Sequence, residues 1–211
     1  MLITTLPFGT LQQPKNCKMK PPYEVMLNSI VAGLMTEGNI PNGSIVDAGA
    51  QYGRWACYYA AIAPTRVVHA VDPNPKWVAH MRQRYTLRKL PNLQALHGGL
   101  SNQSSSVYSR AAARGGSSIH VFTNSDGFPI YTLDELFIAG GMWAGEALGF
   151  AHLDVEGLEE LVLHGAHTIL LRDQPVLTVE LTVHKYPMRT RSLLALLDSM
   201  GYDTLMVDEI A

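Results

Sequence analysis

One stretch limits the architectures open to this chain more than any other: Ser44-Ile-Val-Asp-Ala-Gly-Ala-Gln-Tyr-Gly53. Ile45 and Val46 form a short β-branched run that ends in the acid Asp47. A glycine-bearing loop follows. Beyond Gly53 the apolar residues Trp55, Tyr58, Tyr59 and Ile62 recur at i, i+3, i+4 and i+7, the spacing of one helix face. Strand, tight turn and helix start, in that order, build the ligand crevice of an open α/β sheet, because backbone approaches a ligand closely where no Cβ intrudes. The N–H groups at such a helix start favour an anionic group, here an amino-acid carboxylate.

The class of ligand is narrowed by what the loop lacks. A dinucleotide fingerprint reads G-x-G-x-x-G, whereas here Asp47, Gly49, Gln51 and Gly53 alternate, with the acid inside the motif and the middle glycine replaced. No Lys-Ser/Thr follows Gly53, which excludes a Walker loop. An acid two residues before the first glycine suits a ligand carrying an ammonium group, and S-adenosylmethionine is one. The competing reading is that Asp47 caps a turn and the glycines only permit it. On this loop alone the two readings stand level.

A second acid tips the balance. Arg66 to Asp72 reads as a buried strand ending in a carboxylate 19 residues beyond Gly53. That spacing lets a neighbouring parallel strand present Asp72 to a ribose diol at the first strand's loop. Asp72-Pro73-Asn74-Pro75 also starts a helix, so a capping role competes, and both roles can hold together.

The rest of the chain alternates in the same manner. A helix is expected from Pro22, with Leu27, Ile30, Val31 and Leu34 inward, up to Gly38. A further helix runs from Pro75 to about Lys89, with Lys76, Arg82, Arg84, Arg88 and Lys89 on a solvated basic face. Leu93 to His97 forms a third strand, and the loop after it, with Leu100 and Ser101, falls where the adenine edge of a nucleoside pocket would lie. Residues 103–131 read as a loose hairpin and loop, Ser106 to Ser109 and Ile119 to Phe122 being strand-like, in a place suited to an insertion over the acceptor. Thr132-Leu-Asp-Glu135 is a capping box. Strands are expected at Gly149 to Asp154, Pro175 to Val183 and Tyr202 to Val207, with helices around Leu158 to Gly165 and Leu193 to Met200. Such alternation predicts an α/β fold: a mostly parallel central sheet, helices on both faces and ligands at the strand C-terminal ends.

Composition sets outer bounds. With 211 residues, the chain is expected to hold an irregular arm over 1–20 and a single domain over 21–211. A net charge of −2 makes no electrostatic case for nucleic acid or an acidic membrane. Cys17 and Cys57 suggest neither a disulfide framework nor a zinc site. The N-terminal residues lack the pattern of a secretory signal, and no window approaches a membrane span, so a reduced, cytoplasmic setting is expected.

From Ile45 to about Asp203 the chain resembles the FkbM family of S-adenosylmethionine-dependent methyltransferases, class I enzymes of Rossmann-like fold that mainly methylate hydroxyls. Val46-Asp-Ala-Gly-Ala-Gln-Tyr-Gly53 is similar to that family's glycine loop and Ala70-Val-Asp-Pro-Asn-Pro75 to its ribose-binding turn. Gly98-Gly-Leu-Ser-Asn102 resembles its third-strand loop, and Thr132-Leu-Asp-Glu-Leu136 its short helix. The most specific piece is Leu153-Asp-Val-Glu-Gly157 with Glu159 or Glu160, then His164-Gly-Ala166 and Val179-Glu180. The resemblance implies a cofactor site at Asp47, Gly49, Ala50, Gln51, Tyr52, Gly53, Asp72, Asn74, Leu100, Ser101 and Asp154, and a sugar or glycan acceptor. In the family a lysine usually precedes the Leu-Asp-Val-Glu-Gly run, where this chain has His152. Class I sheets usually end with two strands after the last helix and this sequence offers one. A shortened sheet, or a domain of a larger glycan-synthesis protein, is therefore expected.

Methyl transfer from a sulfonium is an in-line displacement, accelerated chiefly by alignment, and a hydroxyl acceptor must also lose its proton. Asp154, Glu156 and His184 are the candidate catalytic groups. Asp154 is suited to hold the cofactor's ammonium, to orient the acceptor or to act as base. Glu156 has a competing role as a first-turn helix acid. Asp154, Glu156 and Glu180, with His184, are also a candidate ligand set for a hard divalent ion such as Mg²⁺. Two rivals remain open: a nicotinamide-dependent oxidoreductase, disfavoured by the missing fingerprint, and a cofactor-binding module without turnover attached to glycan-synthesis machinery.

Overall fold

The computed structural model describes residues 25–104, 127–181, 183 and 187–207. The expected arm, the strand-like runs at 106–109 and 119–122, and His184 lie outside the described residues. The first elements are α1 (Val25–Thr36), β1 (Ser44–Ala48), α2 (Arg54–Ile62), β2 (Val68–Asp72), α3 (Pro75–Arg88) and β3 (Leu93–His97). Then come β4 (Gly99–Leu100), β5 (Ile130–Tyr131), α4 (Leu133–Phe137), β6 (Leu148–Leu153), α5 (Glu159–His164), α6 (His167–Asp173), β7 (Val176–Val179) and α7 (Pro187–Ser199). Five strands form a parallel sheet in the order β3-β2-β1-β6-β7, and β4 and β5 pair separately.

Why the sheet has helices on both sides follows from its side-chain alternation. Ile45, Val68, Ala70 and Phe150 pack with Val31, Tyr59, Val78 and Met81, so one face is covered by α1, α2 and α3. Val46, Ala48, Val71, Ala151 and Leu153 pack with Leu133, Val162, Ile169 and Leu193 from α4 to α7 on the other. Each fully buried side chain of this size contributes about 1.5–3 kcal/mol relative to exposure. The register pairs Asp47 with Ala70 and with His152, and His152 with Thr178, so this row lies across four neighbouring strands on the α1–α3 face. Asp72, two residues past Ala70, shares that face.

Two short helices have their first N–H groups satisfied from a distance. Gly53, in the left-handed region at φ +67, leads α2 without a side-chain cap, and Asp47 in β1 accepts from the Ala56 N–H at 2.8 Å instead. The carboxylate of Asp134 accepts from Thr168 and Ile169 at the start of α6. By contrast α3 is capped locally: Asn74 accepts from the Lys76 N–H at 3.0 Å, with Pro75 at the first helical position. Thr132 caps α4 as expected, but only half of the capping box forms, because Glu135 accepts from Ser104.

Arg66 fixes the turn into β1, donating to the carbonyl oxygens of Ile40, Pro41 and Gly43. At the sheet's outer edge, two N–H groups of the Arg82 guanidinium converge on the Ala95 carbonyl of β3. Trp143, buried at 5% exposure, stacks on His69 with ring centroids 4.0 Å apart, which makes it a packing residue.

Several expectations need correction. The helix expected around Leu158 to Gly165 is α5, but a further helix that was not expected, α6, follows directly after Gly165, which presses against the main chain of Ser101 and Asn102. Residues 202–207 form no strand, and Leu205 and Met206 are exposed. Cys57 is disulfide-bonded, its partner lying outside the described residues. The cytoplasmic expectation therefore loses the footing it had in reduced cysteines. Among the described residues, no helix is long and apolar enough to cross a membrane.

Candidate active site

The strand order reverses between β1 and β6, so the crevice of this sheet opens where the loops after Ala48 and Leu153 diverge. The two loops meet at Gly49. Its φ is +82, and a Cβ there would overlap the main-chain oxygen of Asp154 and come 2.8 Å from its carbonyl carbon. The Asp154 N–H donates to the Ala48 oxygen at 3.0 Å. The first glycine thus admits protein backbone from the opposite loop, which corrects the expectation that its open side faces a ligand.

Three of the loop's N–H groups are spent on β2. Gly49 and Ala50 both donate to the Val71 oxygen, at 3.0 and 3.1 Å, and Gln51 donates to Asp72 Oδ2 at 2.7 Å. Gln51 has φ +48, a left-handed conformation that aims its N–H at the acid. Asp72 Oδ1 accepts from the Asn74 N–H at 2.7 Å. Each oxygen of this carboxylate therefore holds one backbone donor and keeps a lone pair. Asp72 is 1% exposed, and burial raises its pKa to about 6 against the opposing pull of those two hydrogen bonds.

Asp47 and Asp72 lie on one face of adjacent strands, as the adenosyl amino-acid picture requires, but they are differently engaged. Asp47, also 1% exposed, is turned onto the start of α2, the turn-capping alternative for this residue. Beneath the loop lies Tyr85 of α3, an inward residue to which the sequence assigned no role at the site. Its hydroxyl is buried without a hydrogen-bond partner and packs against Gly53, where no Cβ intervenes. Burial, then Asp47, push its pKa far up, with Asp72 adding to the effect. Gly53 is needed for this contact between loop and helix.

The remaining expected cofactor residues divide into surface and core. Tyr52, 48% exposed, leans on Trp77 and His80 with centroid distances of 5.3 and 5.9 Å. Asn74 spends its side-chain oxygen on the α3 cap. Leu100 is a core residue in β4, and the Ser101 N–H donates to the Tyr131 oxygen.

After β6 the chain carries four acids, of which Asp154, Glu156 and Glu159 have three different fates. Asp154 is half-buried beside Gly49. Glu156 is exposed, with φ +54, uncommon for a side-chain-bearing residue. Glu159, which the family likeness touched on without a role, is the buried one at 6% exposure. Its Oε1 accepts from the N–H groups of Val155 at 3.1 Å and Gly157 at 3.0 Å. Burial raises its pKa, the backbone donors oppose this, and Glu180 raises it further. Nothing in the sequence tells which acid of Glu156-Gly-Leu-Glu-Glu160 turns inward; only the packed turn does. The divalent-ion expectation fails here: among the described residues no three His, Cys, Asp or Glu side chains gather into a metal-binding group, so Asp154, Glu156 and Glu180 do not form one.

His152, in the place of the family's lysine, is 2% exposed, with Nδ1 2.8 Å from Thr178 Oγ1. Burial lowers its pKa to about 4, so it is a neutral packing residue at pH 7. A cavity of about 600 Å³ lies away from the crevice, between α3 and β3 at the sheet edge, lined by Arg82, Thr86, Lys89, Pro91 and Gln94 among others. It holds none of the strand-end acids.

Comparison with known proteins agrees with this geometry. Among solved structures, the chain is similar to methyltransferase FkbM from Methylobacillus flagellatus KT, with 16% identity and a TM-score of 0.50, covering 74% of this chain and 37% of that one. It is similar also to precorrin-6y C5,15-methyltransferase from Geobacter metallireducens GS-15, with 13% identity and a TM-score of 0.50, covering 94% of this chain and 84% of that one. At these identities the likeness shows a shared Rossmann-like fold. The chain spans little more than a third of the Methylobacillus protein's length. No curated protein matches it. The family model described as Methyltransferase FkbM domain matches residues 47–204, most of the chain, and the chain belongs to that family.

Proposed function

We propose that this chain is an S-adenosylmethionine-dependent O-methyltransferase acting on a hydroxyl of a small molecule, a sugar or glycan unit, with residues 21–211 as its domain. The observation that carries the reading is Asp72: a buried carboxylate at the C-terminal end of β2, held between the Gln51 and Asn74 N–H groups with lone pairs to spare. Such a group suits a vicinal diol, which the cofactor's ribose supplies. Gln51, Tyr52 and Gly53 form the loop beside it, and Leu100 and Ser101 are assigned to the far side. Bound S-adenosylmethionine would bring an electrophilic methyl on a sulfonium. The chain's own task is then to align an acceptor oxygen and take its proton. Asp154 and Glu156, at the C-terminal end of β6, are assigned those roles, Asp154 orienting and Glu156 receiving the proton. His184 is a further candidate base.

The test combines binding with turnover. Calorimetric titration with S-adenosylhomocysteine, set against NAD, should show binding of the first alone, lost at least tenfold in Asp72→Ala. Label from methyl-labelled S-adenosylmethionine should appear on hydroxyls of a glycan panel and fall at least tenfold in Glu156→Gln. Binding of NAD in place of S-adenosylhomocysteine, or full activity in Glu156→Gln and Asp154→Asn together, would sink the assignment.

A further inference from the structure

We infer that Glu159 is a positioning residue for Glu156, an inference that rests on the methyl-transfer reading of the β6 turn. Residues 155–157 do not fold into this turn by local preference. Glu156 adopts φ +54 and Gly157 φ +94, two consecutive left-handed residues of which only the second is a glycine. A non-glycine residue in that region costs about 1–2 kcal/mol and persists only where surroundings fix it. Glu159 does the fixing. One carboxylate oxygen, Oε1, accepts the N–H groups on either side of Glu156, those of Val155 and Gly157. The two donors flank the strained residue, so its φ and ψ are pinned between two fixed points. Glu159 is itself immobilised, buried at 6% exposure in the first turn of α5, whose Val162 and Leu163 lie in the core.

The division of labour follows from exposure. Glu156 stands in solvent at the strand end, where an acceptor is reachable, while Glu159 is covered and accepts from backbone N–H groups. A proton acceptor must lie within hydrogen-bond reach of the hydroxyl it serves, so loosening the turn costs alignment before it costs the fold. Glu159 needs an accepting oxygen at this point more than a charge, since both partners are neutral amides.

The experiment has two arms. Amide hydrogen exchange at Val155 and Gly157 reads the turn without any turnover: it should quicken at least tenfold in Glu159→Ala and stay within about twofold of wild type in Glu159→Gln, which keeps the oxygen. Kinetics reads the consequence: kcat should fall at least tenfold in Glu159→Ala, with S-adenosylhomocysteine affinity within about twofold and recovery in Glu159→Gln. In a Glu156→Gln background, Glu159→Ala should lower kcat by less than twofold more, since a residue acting through another adds nothing once that one is gone. A fall that multiplies in the double variant, unchanged exchange, or unchanged kcat in Glu159→Ala overturns the inference. Should Glu159→Ala fail to fold, Glu159→Asp, one methylene too short to reach both amides, takes its place. If wild type transfers no methyl group, the proposed reaction has failed and Glu159 has no positioning role in it. The exchange arm then reports on the turn alone.

Discussion

Replacing Gly49 by alanine drives a methyl group into the Asp154 carbonyl, main chain against main chain, with no side chain able to rotate away. Three costs combine. A Cβ at φ +82 adds about 1–2 kcal/mol of left-handed strain. Overpacking against an unyielding neighbour adds about 1–3 kcal/mol. Displacing the Asp154 loop weakens its N–H bond to Ala48, which contributes about 1 kcal/mol. The reduced freedom of the unfolded chain returns about 0.4–1 kcal/mol. The net expectation is a loss of about 3–4 kcal/mol. Gly140→Ala isolates the contact from the strain, because Gly140 has a similar φ of +91 and nothing within 4 Å of an added Cβ. That variant should lose about 1 kcal/mol. Urea unfolding followed by circular dichroism measures both; with a slope of about 2 kcal/mol per molar, the two midpoints should differ by about 1 M or more. Equal losses within about 0.5 kcal/mol would refute the claim that Gly49 exists to seat the opposite loop.

The two most perturbed groups of the sheet should conceal one another. Asp72, raised to about 6, favours the native state when protonated, so its contribution of about 3 kcal/mol is lost as pH rises between about 4 and 6. His152, lowered to about 4, disfavours the native state when protonated, so about 3 kcal/mol is lost as pH falls from 6.5 to about 4. Stability of wild type should be nearly flat across that window. Asp72→Asn should unmask a decline on acidification, and His152→Gln a decline with rising pH, both read from urea midpoints; parallel curves for all three proteins would contradict the assignment. Arg66→Ala should cost about 2–4 kcal/mol by orphaning the carbonyls of Ile40, Pro41 and Gly43, and Arg66→Lys should recover less than half, since an ammonium lacks the fork.

Legibility in the sequence followed the range of the forces involved. The strands β1, β2, β3 and β6 were visible as short apolar runs ending in acids or turns, because a parallel sheet covered on both faces demands continuous burial. Thr132 declared itself as a cap through local chemistry, whereas the cap of α3 is Asn74 and not the Asp72 for which that role was weighed. What stayed hidden depends on contacts distant in the chain. Helix α6, directly beyond the Gly165 that packs on the Ser101 backbone, owes its first N–H bonds to the distant Asp134, which no periodicity encodes. Tyr202 to Val207 has strand composition but gains no partner, and a strand is a property of pairing. Asp47 read equally well as a ligand's counter-charge or as a cap, and the Ala56 N–H decides for the cap in this structure. At the β6 turn, Asp154, Glu156, Glu159 and Glu160 are equivalent letters until the fold turns one of them inward.

The Arg82 clasp on Ala95 bears on how copies of this protein behave when crowded together. A parallel sheet ends in a strand whose outward amides recruit any other unpaired strand, the first step towards fibrillar association. Here the middle outward acceptor of β3 is already occupied, and by a cation that a neighbouring copy would bring a second time, charge against charge. Solutions concentrated enough to drive self-association should therefore stay clear, and light scattering from Arg82→Ala at the same concentration should rise.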